Sequence, residues 1–166
     1  MEEEINCGAV DGNFRLYKAK AIREAAETYL LAQERSYAAT EARATSLLGW
    51  AIAGAVALAS RMFVAGFDLP LFVAAFCLFL SALCSCAVLW PGKWNPAGGL
   101  PTAFAGWEAQ SELEFQEWLA ARYESDVAAN RKIVQRAYRR MREAWILTFS
   151  AAPLAALVAL IVRLAA

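Results

Sequence analysis

Residues 69–90 read LPLFVAAFCLFLSALCSCAVLW, 22 residues without one charged side chain. A helix rises about 1.5 Å per residue, so about 20 residues cross a hydrocarbon core of about 30 Å. The core helix of a soluble protein is seldom this long and apolar on every face. The stretch is therefore read as a membrane span, and it sets the reading of everything around it.

Two more apolar blocks flank it. The first covers residues 45–64 and is interrupted only by Arg61 near its end; the other covers residues 144–162. Between the first and second blocks lies Ala65-Gly66-Phe67-Asp68-Leu69-Pro70, a tight turn whose glycine and proline break the helix. The chain as a whole is 60% hydrophobic, above the about 45–50% of a soluble domain. The excess sits in these three blocks. The start, Met1-Glu2-Glu3-Glu4, is acidic and no apolar h-region precedes residue 44, which argues against a cleavable signal peptide.

The remaining sequence is helical with one exception. Residues 12–43 carry Phe14, Tyr17, Ile22, Ala25, Ala26, Tyr29, Leu30 and Tyr37, many of them three or four apart, which predicts an amphipathic helix capped by Asp11 or Asn13. Residues 91–106 hold three prolines and four glycines and are read as a loop. From Trp107 neither residue occurs until Pro153, so one long helix is expected to run directly into the third span. Glu108, Glu112, Glu114 and Glu117 lie in its first turns, on the favourable side of the helix dipole. The expected fold is an all-α integral membrane protein of five parts. These are an N-terminal cytoplasmic helix (1–43), a two-helix transmembrane hairpin (44–90), a Pro/Gly loop (91–106), a long cytoplasmic helix (107–143) and a third transmembrane helix (144–166).

Charge supplies the orientation. Of the 16 Lys and Arg residues, only Arg61 and Arg163 fall opposite the rest if the N-terminus is cytoplasmic. The positive-inside rule thus places the N-terminus and residues 91–143 in the cytoplasm, in a multi-pass membrane protein. Trp50, Trp90, Trp94 and Trp145 fall near the expected inner boundary, where aromatic rings favour the headgroup region.

No catalytic set is apparent. Histidine is absent, which removes the commonest general base and metal ligand. Cys7, Cys77, Cys84 and Cys86 lack metal-like spacing, and three of them lie in one apolar run as small packing residues. The acids of the long helix have no nucleophile or phosphate loop beside them. The chain is read as a non-enzyme that needs no cofactor.

Two features of the long helix invite functional readings. Leu119, Tyr123, Val127, Asn130, Val134 and Met141, with Ala137 between the last two, form a stripe at spacings of three and four. Outside the membrane such a face needs a partner, either the N-terminal helix or further copies of the chain in a homo-oligomer. Asn130 within it suits a register-fixing polar residue of a coiled coil, or an edge residue facing water. Arg131, Lys132, Arg136, Arg139, Arg140 and Arg142 form a basic cluster beside the third span. They set topology and touch anionic headgroups, or they hold an anionic ligand such as a nucleotide or oligonucleotide. Small residues in the first and third spans favour close helix association in the bilayer, and no span carries a charge at mid-depth.

The order of parts resembles the SLATT class of bacterial membrane effectors, found in antiphage systems such as CBASS, Pycsar and Hailong. The likeness covers roughly residues 22–145. It rests on Glu41-Ala42-Arg43-Ala44-Thr45-Ser46-Leu47-Leu48-Gly49-Trp50 leading into a two-span hairpin, on the Trp90-Pro91 exit followed by Trp94, and on a long helix carrying Tyr123 and Asn130-Arg131. A third span departs from the plain two-span pattern. The resemblance implies an oligomeric effector that forms or gates an ion-permeable pore, controlled by a signal from a partner nucleotidyltransferase. The alternative is a non-conducting scaffold that recruits a cytoplasmic partner through the long helix.

Overall fold

The computed structural model describes residues 12–90, 92, 94, 95 and 111–165, with the backbone alone for Gly12 and Asn13. It contains three helices: α1 (Gly12–Ala65), α2 (Leu69–Leu89) and α3 (Glu112–Ala165). Each is long and apolar enough to cross a membrane. The sequence boundary at residue 43 is not a break, since α1 and α3 each run 54 residues uninterrupted. At about 1.5 Å per residue, each is about 80 Å long. Nothing between Gly12 and Ala65 other than Gly49 and Gly54 disfavours a helix, so none of the sequence asks for a stop. Asn13 lies inside α1 and does not cap it, while Asp11 lies outside the described residues.

The helix ends follow from local chemistry. α1 stops before Gly66, whose φ of +90° is the left-handed conformation that glycine adopts without a steric cost. Asp68 precedes α2 in an extended conformation and Pro70 occupies its first turn, where the missing N–H is no loss. At the other end Trp90 is extended, with φ −64° and ψ 125°. Pro91 disfavours the helical region for the residue before it and so ends α2. Ser111 starts α3: its Oγ accepts the Glu114 N–H at 3.3 Å, the first half of a capping box. Glu108 and Trp107, expected inside this helix, lie outside the described residues, as does most of the Pro/Gly loop. Pro153 sits within α3, where it withholds one N–H from the Phe149 carbonyl.

The chain forms two compact units. A charged unit takes in the chain up to Arg35 together with Lys93–Ile133; a span unit takes in Ser36–Gly92 and Val134–Ala166. In the charged unit α1 and α3 run parallel, as shown by the order of their pairs: Arg23 with Gln116 at 3.2 Å, then Gln33 with the Val127 carbonyl at 3.3 Å. Leu30, 1% exposed, is packed with Ala26, Leu119 and Tyr123, and Phe115, Trp118 and Val127 close around this cluster.

In the span unit Ala44, Leu47, Val88, Ala137, Met141 and Ala144 form the buried core, with Tyr37, Cys84 and Leu89 against it. Further along, α1 and α2 approach so closely that a Cβ on Gly54 would stand 2.8 Å from Leu78 Cδ1. The outer faces are apolar and open: Phe63 is 91% and Phe149 72% exposed. Such surfaces suit lipid and not water. Gly54→Leu should force the hairpin helices apart, costing about 1–3 kcal/mol as an overpacking change. Gly49→Leu, where a Cβ meets nothing within 4 Å, serves as the control. Cross-linking of cysteines placed at residues 54 and 78 in otherwise cysteine-free protein, repeated at 53 and 78 with each leucine, reads the separation.

Candidate functional site

Two polar arrangements stand out, one in each unit. In the span unit, α2 meets α3 through hydroxyl groups. Ser81, fully buried, donates to the Ala144 carbonyl at 2.9 Å and lies 2.7 Å from Thr148 Oγ1. Thr148 also donates to the Ala144 carbonyl, at 3.0 Å. One turn along α2, Ser85 is equally buried and its hydroxyl has no partner among the described residues. Cys77 is buried, Cys84 half-buried and Cys86 exposed, all as free thiols, while Cys7 lies outside the described residues. Small polar side chains therefore line the α2–α3 contact, where hydrogen bonds between helices strengthen association in lipid.

In the charged unit, Asn130 is 0% exposed and its amide embraces the backbone of one residue. Its Oδ1 accepts the Asn95 N–H at 3.2 Å and its Nδ2 donates to the Asn95 carbonyl at 2.7 Å. The water-facing alternative for Asn130 is thus ruled out, and its amide uses one donor and one acceptor within the chain. This clamp fixes Asn95, at the end of the Trp90-Pro91 exit, to α3. Asp126 is also buried and is held by Arg122 at 3.3 Å. Burial raises the Tyr123 hydroxyl pKa above its usual value, with Glu27 adding to the shift.

The stripe expected at an oligomer contact is the face that α3 turns inward within each unit. Leu119, Tyr123 and Asn130 are buried in the charged unit, with Val127 half-buried; Met141 is buried in the span unit, with Val134 half-buried. In the charged unit α1 supplies the cover, the first of the two partners that the sequence allows. The basic residues have a different setting. Arg131 and Lys132 belong to the charged unit and Arg136, Arg139, Arg140 and Arg142 to the span unit, and all six are exposed. Arg139 and Arg140 share Glu143, at 3.5 and 3.1 Å. Among the described residues no group of Cys, Asp and Glu is placed to hold a metal ion.

Sequence reasoning overlooked a groove of about 290 Å³ in the charged unit, between the first turns of α1 and those of α3. Arg15 and Lys18 stand on its α1 side, Glu117 and Glu124 on its α3 side. Arg15 Nη2 is 2.8 Å from Glu117 Oε1, and among the described residues Lys18 and Glu124 make no ion pair.

The family comparison matches this architecture. Residues 25–164 fit the model of PycTM, the Pycsar effector protein domain. The chain belongs to that family. The match takes in most of α1, the whole of α2 and nearly all of α3, and it supports the resemblance to nucleotide-signalled antiphage effectors. The chain is thus a transmembrane effector protein of antiphage defence. Neither a curated protein nor a solved structure matches it.

Proposed function

We propose that the protein is an oligomeric effector that makes the bacterial inner membrane permeable to ions when a cyclic nucleotide from a partner cyclase reaches it. The observation that carries this reading is the coincidence of the Pycsar effector match with the three apolar helices. Ion leakage needs no catalytic set, only helices that assemble in lipid. The supporting features are the small residues of the first and third spans and the hydroxyl-lined α2–α3 contact. The N-terminus and residues 91–143 face the cytoplasm in this reading, because fourteen of the sixteen basic residues then lie inside. Assembly uses the lipid-facing surfaces, since Leu119, Tyr123, Asn130 and Met141 are occupied within the subunit. The exposed basic residues Arg136, Arg139, Arg140 and Arg142 serve the headgroups and the orientation.

The test is membrane potential, followed with a potential-sensitive dye in bacteria that express the chain with and without a Pycsar cyclase. Expression with the active cyclase should depolarise the cells, and expression with a catalytically dead cyclase should not. Phage infection of cells carrying both genes should give the same loss of potential. If no condition produces depolarisation or dye entry, the pore reading fails and a non-conducting scaffold that recruits a partner through α3 replaces it.

A further inference from the structure

We infer that the groove between the first turns of α1 and α3 is the receptor site for the controlling ligand, and that it takes a single cyclic mononucleotide. This rests on the reading of the chain as a nucleotide-governed effector and assigns that control to particular residues. The exposed basic cluster is divided between the two units, and its Arg139 and Arg140 are already matched by Glu143. The groove offers both shape and charge. Its volume, about 290 Å³, is at the small end of small-molecule sites, which suits a mononucleotide.

Its polarity has a direction. On the α1 side Lys18 makes no ion pair among the described residues, and Arg15 spends one Nη on Glu117, leaving other donors of its fork available. Glu117 thereby holds the guanidinium in place and does not oppose an incoming anion with a free charge. A phosphodiester carries one negative charge, and two cations one helical turn apart match its two free oxygens. On the α3 side Glu124 makes no ion pair among the described residues and is acceptor-only, a complement for a sugar hydroxyl or an exocyclic amine. The floor is made by Ala19 and Ala120, 4% and 6% exposed, with Ile22 beside them. Side chains this small leave a flat apolar bed for the face of a base or sugar. A ligand with an anion at one end and hydrogen-bond donors at the other fits this order, and cyclic nucleotides have that form.

The experiment is equilibrium binding of 3′,5′-cyclic mononucleotides, one for each of the four bases, to the full chain in mild detergent. At least one should bind, and binding should weaken as salt is raised. Arg15→Gln with Lys18→Gln should lower affinity by tenfold or more. Ala121→Leu, at an exposed position on the lining, should block the groove without touching the charges. Glu124→Gln should change the ranking of the four bases. Arg136→Gln with Arg139→Gln and Arg140→Gln should leave affinity within twofold. If the nucleotide binds and the Arg15/Lys18 variant binds equally well, the groove is not the site although nucleotide control stands. If affinity falls only in the Arg136/Arg139/Arg140 variant, the basic cluster is the site. If the unmodified protein binds none of the four, both the groove assignment and direct nucleotide control are overturned. Helical circular dichroism of each variant separates lost binding from lost folding.

Discussion

Asn130→Ala should destabilise the charged unit by about 2 kcal/mol, while Asn95→Ala should change stability by less than about 0.5 kcal/mol. The asymmetry follows from the clamp. Asn130 contributes its side chain, which is fully buried, whereas Asn95 contributes only its N–H and carbonyl. Removing the amide leaves those two groups half-buried without their partners, and a buried polar group left unpaired costs about 1–3 kcal/mol. Asn130→Asp should be at least as harmful. It keeps the acceptor facing the Asn95 N–H but turns an anionic oxygen on a carbonyl that now accepts at 2.7 Å. Thermal unfolding in detergent measures the stability, and hydrogen exchange at the Asn95 amide should accelerate in both Asn130 variants. Equal destabilisation by Asn95→Ala would show that the clamp is not what holds the segment.

Leu30→Ala should cost about 3 kcal/mol, the largest single truncation effect expected in the charged unit. Leu30 is 1% exposed and fills the space between Ala26 on its own helix and Leu119 and Tyr123 on α3. Truncation removes apolar contact and leaves a cavity whose walls stand on two rigid helices and so collapse poorly. Leu30→Met should cost less than about 1.5 kcal/mol because the volume is conserved. Its neighbour Leu31 is 42% exposed, so Leu31→Ala should stay within about 0.5 kcal/mol. The readout is the midpoint of proteolysis or thermal unfolding. A Leu31→Ala effect equal to that of Leu30→Ala would contradict the packing.

The helices were legible in the sequence because their signals are local. Residues 69–90 declare a span by length and composition alone, and Gly66, Pro70 and Pro91 mark its ends. The absence of any breaker between Trp107 and Pro153 foretold one helix into the third span, and α3 runs that way from Glu112. What remained hidden depends on pairing. The 119–141 stripe shows that α3 has an inward face, but its period alone leaves open whether another helix or another chain covers it. Asn130 in the stripe is open to two readings, a register residue or an edge residue facing water; a backbone partner at residue 95 leaves no trace in the side chains. The groove was missed for the same reason. Arg15 and Lys18 look like solvated charge until α1 is laid parallel to α3 and brings Glu117 and Glu124 opposite them.

The clamp also has a consequence for how the sequence can vary. Asn130 grips position 95 by its backbone, so the grip does not depend on which residue is encoded there. Any residue except proline offers the same N–H and carbonyl. The whole demand therefore falls on one codon, at position 130, where few replacements present a donor and an acceptor side by side at the right reach. Drift at one end of the contact and fixity at the other is the inheritance pattern this geometry imposes.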